Sequence, residues 1–323
     1  MCTDYRANSR DYRICGFPPP SSGMLAVGQI LGILQNTAAG SQPLGSDGLP
    51  GAAWLHLYTE AARLAFADRA LYVADPDFVQ PPAGSWSSLL EPAYLAQRAQ
   101  LIGSAPDAPS MKMARPGSPG GVKTSFAPMP EQTEYGTSHI SIVDAQGRAI
   151  AMTTTIEDGF GARQMVRGFL LNNELTDFSF APADASGAPI ANRVQPGKRP
   201  RSSMAPTLVF DKATGELLMS AGSPGGALII HYTAKTLYGV LNWGLLPQQA
   251  INLPNFASLN GPTTLEKDRF PAATVDRLKA RGHEVRETEM TSGLQAITRG
   301  VVHGTPLWLG GADPRREGIV MGD

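Results

Sequence analysis

The sequence predicts an α+β protein built in layers, of the αββα kind rather than an alternating βαβ weave. Three observations carry this prediction. Helical periodicities come first in the chain, and hairpin-forming, alternating segments begin only after residue 136. Between them lies a stretch, residues 103–136, with six prolines, many small residues and little periodicity, which reads as a loop or linker. No tandem repeat is present, although the string G-S-P-G-G occurs at 117–121 and again at 222–226.

The elements follow in order. The chain starts extended and proline-punctuated, up to F-P-P-P-S-S-G at 17–23, after which Leu25, Ile30, Ile33 and Leu34 recur at helical spacing. A longer helix is expected from Ala52 to Tyr72, where Trp54, Leu57, Ala61, Leu64, Ala65 and Leu71 share a face. D-P-D at 75–77 ends it, because a residue before proline is driven out of the helical region. Glu91 to Ile102 reads as a third helix. H-I-S-I-V at 139–143 and A-I-A-M-T-T-T-I at 149–156 flank D-A-Q-G-R as a hairpin, and T-L-V-F at 207–210 with E-L-L-M-S at 216–220 makes another. A buried helix is expected from Ala227 to about Trp243, an amphipathic one from Pro271 to Arg281, and short strands from Gln295 to Leu309.

Composition excludes several function classes. With 323 residues and 42% hydrophobic content, the chain can bury a sizeable core. Lys and Arg total 27 against 28 Asp and Glu, a net charge of -1, which argues against nucleic acid or an acidic membrane surface as partner. No apolar run has the length of a membrane span, and M-C-T-D-Y-R is no signal peptide. Cys2 and Cys15 are too few for a disulfide framework or a cysteine-based zinc site. The five histidines are scattered, with no pair at ligand spacing, so no metal and no cofactor is expected.

Four segments could carry chemistry. At Gly136-Thr137 the linker ends in a glycine and a threonine opens the strand-rich half. If that bond were cut, Thr137 would carry a free α-amine beside its own hydroxyl; such an amine titrates near 7.7–8.0 and can serve as the base for the nucleophile. G-S-P-G-G at 222–226 lies between a strand and a helix, where Gly225 and Gly226 would expose backbone N–H groups to a developing oxyanion. L-N-N-E-L-T-D-F at 171–178 sets Glu174 three residues from Asp177, a pair able to grip an ammonium group. In K-R-P-R-S-S-M-A-P-T at 198–207, Ser202 and Ser203 could donate to a carboxylate near the charges of Lys198, Arg199 and Arg201. Each segment also has an ordinary reading as a turn or surface loop.

Taken together, the segments resemble the γ-glutamyltransferase (γ-glutamyltranspeptidase, glutathione hydrolase) family. The matching signatures are P-P-P-S-S-G at 18–23, T-S-H-I-S-I-V-D at 137–144, T-T-T-I-E-D-G-F-G at 153–161 and L-L-N-N-E-L-T-D-F-S at 170–179. G-K-R-P-x-S-S-M-x-P-T at 197–207, G-S-P-G-G-x-x-I-I at 222–230 and G-G-A-D-P-R-R-E-G at 310–318 complete the set, in consistent order.

The resemblance implies an N-terminal nucleophile hydrolase fold and a precursor that cuts itself between Gly136 and Thr137. Residues 1–136 would then be the C-terminal part of a large subunit and residues 137–323 the small subunit. Thr137 would be the nucleophile, Thr155 its orienting neighbour, and Gly225 and Gly226 the oxyanion hole. Glu157, Glu174 and Asp177 would bind the donor's α-ammonium, and Ser202 and Ser203 its α-carboxylate. The implied reaction passes γ-glutamyl from glutathione or a related amide to water or an acceptor amino acid. A cephalosporin or glutaryl acylase of the same fold, and a non-catalytic or partner-dependent fragment, are the alternatives. Nearly half of the family precursor lies upstream of where this sequence starts, and that part carries the arginine that pairs with the donor carboxylate. No residue here is assigned that role, and a separate chain could supply it. Relatives are usually periplasmic or extracellular.

Overall fold

The computed structural model describes every residue except 104, 106, 135 and 323, and leaves the side chain of residue 302 undescribed. Positions 104, 106 and 135 of the expected linker therefore lie outside the described residues. Among the described residues the α-helices are α1 (Gly23–Gln35), α2 (Ala52–Tyr72), α3 (Pro92–Ala99), α4 (Ile229–Leu241), α5 (Pro247–Asn252) and α6 (Ala272–Ala280). The strands are β1 (Cys2–Ala7), β2 (Arg10–Gly16), β3 (Ser138–Val143), β4 (Ala149–Thr154), β5 (Met165–Val166), β6 (Phe169–Leu170), β7 (Thr207–Asp211), β8 (Leu217–Gly222), β9 (Phe256–Ala257), β10 (Thr263–Glu266), β11 (Val285–Thr288), β12 (Gln295–Val302) and β13 (Thr305–Ala312).

The central sheet has six strands in the order β1-β2-β7-β8-β12-β13, every pair antiparallel. Because side chains alternate across a strand, β8 serves two layers at once. Met219 and Ala221 face the main core, together with Ile30 and Leu34 of α1, Trp54 and Tyr58 of α2 and Ile230 and Leu237 of α4. Ser220 and Gly222 face the other way and receive the β3–β4 hairpin. The Ser220 hydroxyl lies 3.0 Å from that of Ser141 and 3.1 Å from the carbonyl of Ile150, and the His139 ring packs where a Cβ on Gly222 would stand. Helices, sheet and hairpin thus stack in α, β and β layers. The hairpin's outward residues, Ile140, Ile142, Ile150 and Met152, are exposed.

The start of the chain is more ordered than expected. D-Y-R-A and D-Y-R-I place Tyr5, Ala7, Tyr12 and Ile14 on one buried face with charged residues between them, and Asn8 and Ser9 turn the chain with φ of 49° and 64°. The two cysteines meet across this hairpin as a Cys2–Cys15 disulfide, one staple where a framework was excluded. Small elements at α5, β9, β10 and β11 fill the interval that the sequence left undefined.

The proline-rich segment is strapped down rather than loose. Buried acids of α2 take its backbone: the Glu60 carboxylate accepts from Met111 N (2.9 Å) and Ser110 Oγ (2.8 Å), and Asp68 accepts from Gly117 N (2.7 Å). Asn260 accepts from Ala114 N at 2.7 Å, and Met129 N donates to the Ala70 carbonyl at 2.9 Å. Each bond satisfies a polar group that burial would otherwise leave unpaired.

Burial also sets an acid limit. It lowers the pKa of His56 and His139 to about 4 and of His231 and His283 to about 3, with nearby arginines adding to the effect at all but His139. These rings stay neutral in the fold but take a proton near pH 6.5 when unfolded, so the unfolded state binds more protons between about pH 6.5 and 4 and stability falls as pH falls through that window. The opposite case is Asp177, raised to about 8, which favours the fold as pH drops below that value. Thermal melts between pH 7 and 4.5 should therefore show a steep loss, of about 1.4 kcal/mol per pH unit for each histidine not offset. A flat profile would show that the histidines are not buried as described.

Candidate active site

Thr137 stands immediately before β3 in a backbone conformation that a β-branched residue rarely holds, with φ of 96°. Gly136 before it has φ of 73°, and a Cβ there would run into the Glu157 carbonyl oxygen, so only glycine fits. The Thr155 hydroxyl accepts from Glu157 N at 2.8 Å and would lie 3.2 Å from that same Cβ. Glu157 also has a positive φ, of 71°. Two such residues in the left-handed region hold strain of about 1–3 kcal/mol each, concentrated around the Gly136–Thr137 bond.

Around Thr137 the chain closes a small cleft. Thr155, Glu157, Glu174, Asp177, Ser202, Ser203 and Gly226 line it, together with Glu134, Met204 and Ile229. The predicted residues are drawn from five separate stretches of sequence and converge here, with two qualifications. Gly136 adjoins the cleft without lining it. Gly225, with φ of 137°, turns the chain beside the Tyr232 ring, and only Gly226, with φ of 56°, reaches the cleft. The turn Gly226–Leu228 leads into α4, so the glycine N–H groups sit at a helix approach, as the sequence suggests.

The cleft is lined by four acids, Glu134, Glu157, Glu174 and Asp177. Glu157 is buried and accepts a hydrogen bond from Asn173 Nδ2, while Glu174 and Asp177 belong to a single tight turn, Glu174–Asp177. Burial, then the charges of Glu134, Glu174 and Glu157, raise Asp177 to about 8, and burial followed by Glu157 raises Glu174. Carboxylates that repel one another this strongly favour a cation between them.

Two buried arginines, Arg69 and Arg201, line the neighbouring cavity that shares Glu134 with the cleft. Ser203 Oγ donates to the Glu134 carboxylate, and Arg69 reaches both groups, with Nη2 3.1 Å from Glu134 Oε1. Arg69 comes from α2 and is fixed by a 2.8 Å bond from its Nε to Ser22 Oγ. Arg201 is 4% exposed, donates to the Arg69 carbonyl at 3.3 Å and leaves its Nε without a hydrogen-bond partner. Of the three cations expected beside the serines, only Arg201 is there. Arg199 pairs with Asp75 (2.6 Å) and Asp77 (2.8 Å), and Lys198 Nζ turns to the carbonyls of Ala191 and Gln195. No residue of this chain was assigned to pair with the donor carboxylate from sequence; in the structure Arg69 touches Ser203. The sequence offered a faint sign in Asp68-Arg69, two charges on a helix that is otherwise mostly apolar. Nothing in it singled out Glu134.

The histidines are less scattered in space than in sequence. His56 Nδ1 lies 2.8 Å from His283 Nε2, and these rings and Glu60 bring ligand atoms within 4.8 Å of one another. The Glu60 oxygens are already engaged by Arg63, Ser110 and Met111.

A cephalosporin acylase from Bacillus halodurans has the same fold: it superposes with a TM-score of 0.79 at 24% identity, over 99% of this chain and 52% of that one. The likeness is one of fold, a layered α+β architecture shared by the two chains. The sequence profile of the family described as Gamma-glutamyltranspeptidase matches residues 1–323, and the chain belongs to that family. A glutathione hydrolase proenzyme of Escherichia coli (strain K12) is 34% identical over 305 residues, covering 92% of this chain and 49% of that protein. An Acylase ACY 1 proenzyme of Pseudomonas sp. (strain SE83) is 30% identical over 315 residues, covering 96% of this chain and 51% of its own length. The chain thus spans about half the length of the curated relatives it matches.

Proposed function

We propose that this chain carries the acyl-transfer centre of a γ-glutamyltransferase or glutathione hydrolase, with Thr137 as nucleophile after a cut at Gly136–Thr137. The observation that carries the reading is the polarity of the cleft. Glu157, Glu174 and Asp177 line it together with Ser202 and Ser203, Arg69 bonds Ser203, and Thr137 lines the same cleft. That pattern complements an α-amino acid head, ammonium at one end and carboxylate at the other, whose side chain presents a carbonyl to the hydroxyl.

The cut begins when Thr137 Oγ adds to the Gly136 carbonyl carbon. The C–N bond breaks, the hydroxyl proton passes to the departing nitrogen, and an ester links Gly136 to Thr137 Oγ. Water splits that ester, leaving a carboxylate on Gly136 and a free amine and hydroxyl on Thr137. The strain at Thr137 and Glu157 favours this step, since cleavage releases it. In turnover the α-amine takes the hydroxyl proton as Oγ attacks the γ-amide carbon, with Gly226 and its neighbour Gly225 donating N–H to the oxyanion. The amine product leaves with that proton, and water or an acceptor amino acid resolves the γ-glutamyl ester. Residues 1–136 and 137–323 are then the two products of the cut. A separate chain that supplies a further layer belongs to the same proposal; the exposed outward residues of the β3–β4 hairpin give it an apolar face to cover.

The likeness to an acylase proenzyme supports a second reading, hydrolysis of glutaryl-type amides. Paired anilides separate the two, because a γ-glutamyl anilide differs from a glutaryl anilide only by its α-ammonium group. Denaturing electrophoresis with N-terminal sequencing is the first experiment, and a smaller band starting at Thr137 is expected. Preferred turnover of the γ-glutamyl anilide then supports the proposal, preferred turnover of the glutaryl anilide supports the acylase, and an intact chain inactive on both overturns the pair.

A further inference from the structure

The cleft beside Thr137 has only about 10 Å³ of room, enough for a single water and nothing larger. Small-molecule sites are usually about 300–1,000 Å³. A second cavity, of about 430 Å³, is lined among others by Arg69, Arg201 and Met129. Glu134 lines both. Its carboxylate is held by Ser203 Oγ and by Arg69 Nη2 (3.1 Å), with side-chain exposures of 7% for Arg69 and 8% for Glu134.

We propose that Arg69 and Arg201, with Ser203, form the cationic seat for the substrate's carboxylate, and that Glu134 occupies this seat as a stand-in until the cut before Thr137 lets it leave. The inference rests on the reading above that Ser202 and Ser203 face a carboxylate, and goes beyond it by assigning the arginines and the built-in occupant. Four observations support it. A carboxylate already sits on the serine and Arg69, which shows that the geometry accepts one. Arg201 is a buried guanidinium with an unpartnered Nε and, among the described residues, no carboxylate within ion-pair distance. The Glu134 carbonyl packs against Gly226, so the same residue covers the proposed oxyanion donor as well. Finally, Glu134 is two residues from Gly136, the chain end that the cut creates, and chain ends are where order is most readily lost. Its departure joins the two cavities into one of small-molecule size with the serines at the junction. It also removes the negative charge that acts most strongly on Asp177, which then ionises more readily and is ready to meet an ammonium.

The test uses L-glutamate, which has both head groups, and three forms of the chain: the cut wild type, the uncut Thr137→Ala variant, and Thr137→Ala combined with Glu134→Ala. Titration calorimetry should show binding to the cut chain, at least tenfold weaker binding to Thr137→Ala, and recovery of most of that factor in the double variant. Acetate, which replaces the missing side-chain carboxylate, should compete with glutamate in the double variant and raise its melting temperature more than that of Thr137→Ala. This second measurement also reports that the variant is folded. Equal glutamate affinity for the two uncut forms, with no selective acetate effect, overturns the stand-in while leaving the carboxylate reading intact. Failure of the cut wild-type chain to bind glutamate overturns that reading and the inference with it.

Discussion

Replacing Thr137 with alanine leaves a single uncut chain of 323 residues and reduces γ-glutamyl-anilide turnover by about 10⁴-fold or more. Both losses come from one atom. In the proposed mechanism Thr137 Oγ attacks Gly136 in the cut and the donor carbonyl in turnover, and alanine supplies no replacement. Thr137→Ser keeps hydroxyl and amine together and so retains cleavage, although without the Cβ methyl it relaxes the strained backbone at φ 96° and cuts more slowly. Electrophoresis over a time course, read beside turnover, checks the pair. Turnover that survives in Thr137→Ala would remove Thr137 from the mechanism.

Asp177→Asn carries the second largest effect. It removes the carboxyl group that can ionise against a bound ammonium while keeping the side chain's shape. A hydrogen bond to a charged group is worth about 1.5–3 kcal/mol, so kcat/KM for the γ-glutamyl anilide should fall roughly 10- to 10²-fold. The glutaryl anilide lacks the ammonium and should be nearly unaffected, which makes the ratio of the two rates the decisive quantity. Equal losses on both anilides would show that Asp177 supports the turn Glu174–Asp177 and does not read the substrate's charge.

Local physics made much of this legible. Helix α2 falls at Ala52–Tyr72 as expected, because a long apolar stripe sets its length and the Asp75-Pro76 pair sets its end. The β3–β4 hairpin follows from two alternating runs around a polar turn. Thr137 stood out because a glycine ends the linker and a strand begins at once. What stayed hidden has a common cause: the partners are far apart in sequence. Arg69, Glu134 and Ser203 meet from a helix, a strap and a loop, and a lone acid in a proline-rich segment looks like any solvated charge. Lys198, Arg199 and Arg201 were indistinguishable as a run of cations. Asp75, more than a hundred residues away, draws Arg199 outward while Arg201 stays buried. The β1–β2 hairpin was hidden for a different reason, since Asn8-Ser9 is a weaker turn signal than the glycine-containing pairs.

The strap over α2 has a practical meaning. Glu60, Asp68 and Asn260 grip residues 110–117 from the folded core, and Met129 is tied to Ala70, so the bond before Thr137 is presented only once that core has formed. The proposed backbone scission would then be a covalent record of successful folding. Molecules that never assembled remain full length, and the proportion of short polypeptide in a preparation counts the competent ones before any substrate is added.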